Sequence, residues 1–239
     1  MRLDKLIAHL GYGTRKEVRQ LITTGSVMVS GVLCKDPGSE VRPESDDILI
    51  RGTPIYYKEH LVIMMHKPVE VLSSTHEPGE TTVMDLLDER FKRMKLSIAG
   101  RLDKDASGLI LLTNDGGLLH RIIAPNKNVY KYYEVRTEFP IKNGHRLEQG
   151  VQILDARNQP FQTRPARIEI IDEHTCIIAI SEGKYHQVKR MFLAIDNHVI
   201  ALKRIAIGML QLDPLLEAGA YREVLDSEIP LIFASDSAQ

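Results

Sequence analysis

Two aspartates, Asp103 and Asp105, are the side chains of this sequence best placed to do chemistry. They lie in a polar loop, Gly100 to Gly108, together with Arg101 and Ser107. An ionised carboxylate can act as a nucleophile or a general base when its surroundings hold it still. The simpler alternative is a solvated acidic turn in which an aspartate caps a backbone amide. Composition alone favours that alternative.

The loop leads into a stretch that is predicted to be rigid. Leu109 to Leu112 form an uninterrupted apolar run, and Asn114 to Gly117 follow as a turn. A short apolar run between turn signals predicts a buried β-strand. We therefore expect the aspartates at the end of a fixed element, where a functional side chain can be held in one orientation.

Two further segments carry side chains that could serve such a site. Lys131-Tyr132-Tyr133-Glu134-Val135 has the pattern of a β-strand, in which the rings would simply pack. The segment 180–192 predicts a helix with one apolar face, whose cations would otherwise be solvated. Its Glu-Gly-Lys triplet does not complete the pattern GxxxxGK[ST], so nucleotide hydrolysis is excluded.

The N-terminal fifty residues predict two short helices and a hairpin. Apolar residues recur with helical spacing over 3–10, and Thr14 followed by Glu17 has the pattern of a capping box. Residues 26–30 alternate polar and apolar before a turn at Gly31. The exposed face of the second helix is basic.

The rest of the chain alternates irregularly between strands and helices. Strands are expected over 61–65, 129–137, 164–171, 174–181 and 198–212, and helices over 83–91, 115–124, 141–149 and 184–195. Without a βαβ rhythm, this order predicts an α+β fold with a mixed, mainly antiparallel sheet. The polar stretch 52–60 predicts a linker between domains at 1–55 and 60–235, and residues 235–239 predict a frayed tail.

Composition excludes several classes of protein. The chain has 239 residues, 43% hydrophobic and 26% charged, with no membrane-spanning run and no signal core, so a cytoplasmic protein is expected. Two distant cysteines predict neither a zinc site nor a disulfide. The net charge of −1 conceals a local charge of +3 in residues 1–31 and −5 from Asp213 onward. A basic face of this kind is compatible with nucleic-acid binding.

The segment 100–117 resembles the signature Gly-Arg-Leu-Asp-x-x-(Thr/Ser)-x-Gly-Leu-Leu-Leu-Leu-Thr-Asn-Asp-Gly of the RsuA-type pseudouridine synthases. Ala106 departs from it, where that family often has a hydroxyl. Segments 131–135 and 182–191 are similar to the family's Lys-x-Tyr-x-Val and Glu-Gly-(Arg/Lys)-x-(His/Arg)-Gln-(Val/Ile)-(Arg/Lys)-Arg-Met motifs, and 197–208 is similar to the strand that closes its cleft. The resemblance covers nearly the whole chain.

This resemblance implies a role for each residue of the site. Asp103 would be the catalytic carboxylate, Tyr133 would stack on the target uracil, and Lys189 would pair with the carboxylate and favour its ionised form. Asp105 and Ser107 would be scaffolding. Direct RNA contacts are implied for Arg101, Lys131, Lys184, His186 and Arg190.

The N-terminal segment resembles the small alpha-L RNA-binding domain first known from a small-subunit ribosomal protein. The similarity lies in the Arg-Leu-Asp-Lys start, the Thr-Arg before the second helix and the hairpin at 25–31. It implies that Arg2, Arg15, Lys16 and Arg19 meet phosphates, which supplies affinity but little sequence information.

The implied reaction is the isomerisation of uridine to pseudouridine in structured RNA. The bond from uracil nitrogen to the anomeric carbon breaks, and the base rejoins through carbon five, which loses its proton. The carboxylate could attack the anomeric carbon or take the ribose 2′ proton to give a glycal, and the sequence leaves both routes open. The nucleotide must be flipped out of its stack. Neither a cofactor nor a metal is required.

The segments Lys-Tyr-His-Gln-Val-Lys-Arg-Met-Phe and Asn-His-Val resemble most closely those of the family members that act on 16S rRNA. They imply uridine 516 as the target, 16S rRNA or a 30S assembly intermediate as the partner, and a monomeric enzyme independent of membranes. Three alternatives stay open: an enzyme acting on 23S rRNA, a non-catalytic RNA-binding assembly factor, and, more weakly, a metal-dependent hydrolase using Asp103 and Asp105.

Overall fold

The computed structural model of the protein describes residues 1–235 and divides into two compact units. The first unit contains residues 1–61 together with 87–96, and the second contains 62–86 and the chain from 97 onward. No helix within the described residues has the length and apolar character needed to cross a membrane. The end of the predicted tail, 236–239, lies outside the described residues.

The first unit packs short helices beside a four-stranded sheet with the order β2-β1-β3-β4. The predicted capping box is confirmed: the Glu17 amide donates to Thr14 Oγ1 over 3.3 Å, and the Thr14 amide donates to Glu17 Oε2 over 2.7 Å. The helices are α1 (Leu3–His9), α2 (Arg15–Thr23) and, after the return of the chain, α3 (Glu89–Lys92); the strands are β1 (Val27–Val29), β2 (Val32–Cys34), β3 (Ile48–Ile50) and β4 (Thr53–Pro54).

The second unit is built on a large sheet with the order β11-β12-β8-β13-β7-β5-β15. Its strands are β5 (Val62–Lys67), β6 (Ser97–Ile98), β7 (Ser107–Thr113), β8 (Lys131–Thr137), β11 (Arg167–Ile170), β12 (Thr175–Ile180), β13 (Val199–Ile207), β14 (Leu210–Gln211) and β15 (Tyr221–Glu223). A separate hairpin comprises β9 (Gln152–Leu154) and β10 (Pro160–Gln162), and the helices are α4 (Gly116–Ile123) and α5 (Gln187–Leu193). Within the described chain only β7 and β13 pair in parallel, which confirms a mixed, mainly antiparallel sheet and the α+β class.

One row of residues crosses five strands of this sheet. Lys67 pairs with Gly108, Gly108 with Arg204, Arg204 with Tyr133, and Tyr133 with Ile178. Residues in register on neighbouring strands point to the same face of a sheet. We call these five residues the central row, and all of them except the glycine can carry a side chain toward whatever covers that face.

Two apolar clusters fix the sheet from either side. The first packs α5 against β8 and β12, and the second packs α4 and the 3-10 helix Ile229–Phe233 against β5 and β7. The strand predicted for Leu109 to Leu112 is confirmed inside β7, where all four residues are fully buried. We call residues 100–108, which carry Asp103 and Asp105, the aspartate loop. The strand β7, which this loop leads into, is therefore packed on both of its faces.

Three predicted elements are wrong in detail. The helix predicted over 83–91 is only Glu89–Lys92, because Thr82 donates twice to Asp85 in a turn and the chain then passes into the first unit. The helix at 141–149 is a 3-10 helix, Gly144–Gln149. The strand at 198–212 is a hairpin, because Gly208 turns the chain at φ +59.

Two further features differ from expectation. The hairpin of β9 and β10 was not predicted. The first part of the predicted linker belongs to the first unit, since Thr53–Pro54 is a strand and Tyr56 packs edge-on against Phe91 at 5.6 Å.

Candidate active site

A buried lysine, Lys67, holds the aspartate loop in place by hydrogen bonds to its backbone. Lys67 ends β5 in the central row, and its Nζ donates to the carbonyls of Pro68, Lys104 and Ala106 over 2.8, 3.2 and 2.7 Å. The three donors of the ammonium thus meet three acceptors, two of them in the loop itself. Burial lowers the pKa of Lys67 to about 8, against the attraction of Asp105 and Asp103.

A buried arginine fastens both ends of the same loop. Arg204 Nη2 donates to the Gly100 carbonyl over 2.8 Å, and Nε donates to the Leu109 carbonyl over 2.7 Å. The two backbones come so close that a Cβ at Gly108, whose φ is +105, would lie 2.2 Å from the Arg204 carbonyl oxygen. Only glycine fits there.

A serine and the apolar residues of the loop complete the fastening. Ser73 Oγ donates to the Leu102 carbonyl over 2.8 Å and accepts from the Leu102 amide over 3.0 Å. Leu102 and Ala106 are buried in the cluster that also contains Tyr133. A methyl group therefore fills the position where the resemblance led us to expect a hydroxyl.

Asp103 lies between these two buried residues and faces two side chains, that of Lys189 on α5 and that of His186 directly before the helix. Lys189 Nζ is 3.5 Å from Asp103 Oδ2, and His186 Nε2 is 3.6 Å from Asp103 Oδ1. Lys189 is closer to Asp105, with 2.5 Å between Nζ and Oδ1. Its ammonium, as a hydrogen-bond donor, holds the pKa of Asp105 below the ordinary value. The lysine expected to pair with Asp103 is thus shared by both carboxylates.

The start of α5 is shaped so that Lys189 and His186 reach the loop. His186 has a left-handed backbone, φ +50, directly before the helix. Gln187 folds back, accepting from the Lys184 amide over 2.8 Å and donating to Glu182 over 2.7 Å. Glu182 also accepts from the Arg164 amide over 2.9 Å, so three hydrogen bonds fix the turn.

Tyr133 and Lys131 lie on β8 with small exposed areas. Tyr133 is 8% exposed and stands in the central row beside Arg204. Lys131 is also 8% exposed; burial and, to a lesser extent, the neighbouring Arg204 guanidinium lower its pKa to about 8. The direct RNA contact expected of Lys131 stays a prediction, because this structure buries the side chain.

The other predicted RNA contacts of the second unit are at or near the surface. Arg101 is exposed next to Asp103. Lys184 is exposed, with Nζ 4.5 Å from the ring centroid of Phe161. Arg190 Nη1 donates to the carbonyls of Leu154 and, over 2.8 Å, Asp155.

In the first unit, two of the four predicted basic contacts already have an acidic partner. Arg2 Nη2 is 2.9 Å and Arg19 Nε is 3.2 Å from Oδ2 of the buried Asp4. The pKa of Asp4 falls to about 2, first because of the hydrogen bond from Arg2. Arg15 and Lys16 are exposed on α2. The four residues therefore differ in how much of their charge is available.

Sequence reasoning missed Lys67 and Ser73 and assigned Arg204 only to a structural strand. The available signal is Lys67-Pro68, a cation and a proline just after the strand expected over 61–65. A lysine at such a position is solvated unless acceptors surround it, and here the acceptors come from a loop 37 and 39 residues away.

Comparison with known proteins agrees with this geometry. Residues 61–194 match the family model for RNA pseudouridylate synthase, and residues 1–48 match that of the S4 domain. An uncharacterized RNA pseudouridine synthase of Bacillus subtilis is 44% identical, over 97% of this chain and 98% of that protein. The ribosomal small subunit pseudouridine synthases A of Vibrio cholerae and Escherichia coli are 39% and 38% identical over at least 96% of this chain and 98% of theirs.

A solved structure leads to the same family. The crystal structure of a pseudouridylate synthase aligns with a TM-score of 0.68 and 35% identity, covering 97% of this chain and 99% of that one. Both the sequence relatives and the solved structure cover at least 96% of the chain. The protein belongs to the RNA pseudouridylate synthase family and carries an N-terminal S4 domain.

Proposed function

We propose that this pseudouridine synthase converts a uridine of 16S rRNA, at position 516, with Asp103 as the catalytic carboxylate. The observation that carries the catalytic assignment is that buried side chains hold the backbone of the aspartate loop in place. Lys67, Arg204 and Ser73 bind its backbone, while the Asp103 side chain is one-quarter exposed and faces Lys189 and His186. A preorganised carboxylate beside a cation has the charge and the rigidity that catalysis requires.

Two chemical routes use the same carboxylate. In the first, an Asp103 oxygen bonds to the anomeric carbon as the bond to uracil nitrogen breaks, and the electron pair stays with the uracil. In the second, Asp103 takes the ribose 2′ proton and a glycal forms as the base leaves. In both, carbon five of the turned base bonds to the anomeric carbon and gives up its proton. In the first route the bond between Asp103 and the anomeric carbon breaks in this step, and in the second Asp103 returns its proton to the ribose 2′ carbon. Neither route needs a redox partner.

Tyr133 and Lys189 are suited to supporting roles in this chemistry. Tyr133 shares the central row with Arg204 and packs with Leu102 and Ala106, the residues flanking the loop, so its ring lies beside the catalytic position. A phenol has a flat face for the uracil and a polar end. Lys189 supplies positive charge where the carboxylate must stay ionised.

The choice of 16S rRNA rests on relatives and on charge. Relatives 37–39% identical over nearly the full chain are named ribosomal small subunit pseudouridine synthase A. The S4 domain presents Arg15 and Lys16 on an exposed helix face. We propose 16S rRNA or a 30S assembly intermediate as the partner, bound by a monomer.

The decisive experiment compares Asp103→Asn with Asp105→Asn. Asp103→Asn should lower pseudouridine formation on 16S rRNA by at least about a thousandfold, since the amide cannot act as nucleophile or base. Asp105→Asn, matched in size and charge change, should retain measurable conversion. Substrate RNA comes from a strain lacking the gene, and carbodiimide-dependent reverse-transcription stops locate the product.

The same assay separates the alternatives. Full conversion by Asp103→Asn would refute the catalytic assignment. A stop lost only from 23S rRNA in the deletion strain would replace the proposed target with the large-subunit one. RNA binding without conversion by the wild-type protein on any rRNA would favour the assembly-factor alternative.

A further inference from the structure

An aromatic pair, Tyr185 and His186, lies beside the proposed catalytic carboxylate, and its exposed member, Tyr185, has no part in the proposed chemistry. The rings of Tyr185 and His186 are stacked, with centroids 3.8 Å apart and planes at 20°. His186 Nε2 is 3.6 Å from Asp103, while Tyr185 is 53% exposed. The pair therefore extends from the reacting position outward to solvent.

Contacts with neighbouring residues fix the orientation of the Tyr185–His186 pair. His186 adopts its left-handed conformation at a turn fixed by Gln187, and Arg190 lies 5.0 Å from the centroid of the Tyr185 ring. Arg190 also donates to the Leu154 and Asp155 carbonyls of the β9–β10 hairpin. Little conformational entropy would be lost when a ligand settles on rings that are already ordered.

The surroundings extend this surface with groups suited to a nucleic acid. Leu154 is 50% exposed on the hairpin, and Lys184 stands over the ring of Phe161 at 4.5 Å. Aromatic rings interleaved with lysine and arginine bind single-stranded nucleic acid, because every base has a face to stack and every phosphate a charge to pair. An exposed tyrosine ring among cations fits a base better than an apolar protein segment.

We propose that the Tyr185–His186 pair binds the unpaired base adjacent to the target uridine. This inference rests on the proposed function. Flipping the target out of its stack leaves its neighbour without a stacking partner. The exposed part of Tyr185 replaces that partner, one ring further from Asp103 than His186. The pair thereby stabilises the opened strand and positions the uridine at the carboxylate.

A unique fluorescent reporter tests the contact directly. The chain contains no tryptophan, so Tyr185→Trp introduces a single one. Its emission should fall when 16S rRNA is added, because the indole stacks on a base. Phe139→Trp is the matched control: Phe139 is 50% exposed, and its backbone is bound by Asn197, beyond the far end of α5. Equal quenching of both variants, or of neither, would overturn the inference.

Kinetics supply the second measurement. Tyr185→Ala should lower kcat/KM by about 5- to 150-fold, mainly through KM, the range of stacking one base on an aromatic ring. Tyr185→Phe should recover most of the loss because the flat ring is restored. Unchanged kcat/KM in Tyr185→Ala, with wild-type conversion of 16S rRNA, would refute the stacking site alone. Quenching of Tyr185→Trp by 16S rRNA without wild-type conversion would refute the proposed reaction on that RNA and leave the site standing.

Discussion

Lys67 shows how much of the candidate active site can depend on a fully buried residue. Its ammonium is enclosed by three carbonyl oxygens, two from the loop that carries Asp103. The side chain is fully buried, and its hydrogen bond to the Ala106 carbonyl is shielded from water. We regard Lys67 as a positioning residue for the carboxylate.

Replacing Lys67 with methionine should therefore cost both stability and rate. The apolar side chain keeps the volume but removes the lysine donor from the Pro68 and Ala106 carbonyls, while the Lys104 carbonyl still accepts from the Glu70 amide. Losing these hydrogen bonds costs on the order of 3 kcal/mol. Conversion of rRNA should fall as the loop loosens. Chemical denaturation at pH 7 measures the stability change, and Lys142→Met, an exposed lysine of the same unit, is the control. A stability loss equal to that of the control would contradict the assignment.

The difference in unfolding free energy between the wild type and Lys67→Met should also depend on pH. Burial lowers the pKa of Lys67 from 10.5 to about 8, so the unfolded chain binds more protons than the folded protein between these values. Stability from this group therefore rises with pH across that window, by at most about 3 kcal/mol. The gap between wild type and Lys67→Met should widen from pH 8 to 10.5. A gap that narrows would show the opposite sign of the shift.

At the scale of elements, the start of α2 is the clearest case of local sequence setting local structure. Thr14 and Glu17 exchange hydrogen bonds that satisfy free amides at the helix start. Thr14→Ala should lower the local stability of α2 by about 1 kcal/mol. Hydrogen exchange of the α2 amides is the measurement, because a protein of two units need not unfold in one step. Thr23→Ala, at the other end of α2, should change the protection of the early amides less.

Sequence patterns predicted the elements whose cause is local. The capping box, the β1–β2 turn at Gly31 and the buried strand at Leu109 each follow from a few adjacent residues, and the structure confirms them. The helix predicted over 83–91 was wrong because apolar spacing does not reveal that its two halves pack in different units. Periodicity reports burial, not the partner that causes it.

The site residues likewise divide into those that local motifs predicted and those that depend on contacts between distant segments. A signature in one stretch of chain was enough to propose Asp103, and separate motifs supplied Tyr133 and Lys189 as candidates. The central row could not be predicted, because it depends on the register of strands far apart in sequence. The sharing of Lys189 between two carboxylates likewise depends on a distance that no spacing encodes.

At the scale of the whole molecule, the basic helix face of the S4 domain should act on affinity and not on chemistry. The double variant Arg15→Gln/Lys16→Gln removes two exposed charges. Each lost phosphate contact lowers the slope of log affinity against log salt by about 0.7 to 0.9, so the pair should lower it by about 1.5. Filter binding to 16S rRNA over a salt series measures the slope. Lys142→Gln is the control, and an unchanged slope would remove this face from the RNA interface.

The return of residues 87–96 to the first unit means that the polypeptide crosses between the units three times. Phe91, fully buried there, packs against Tyr56. Shortening the protein to begin at residue 62 would therefore strip Phe91 of its partner and present an apolar ring to water. The first unit is accordingly not separable by a single cut, and exchanging it between family members requires transplanting residues 87–96 with it.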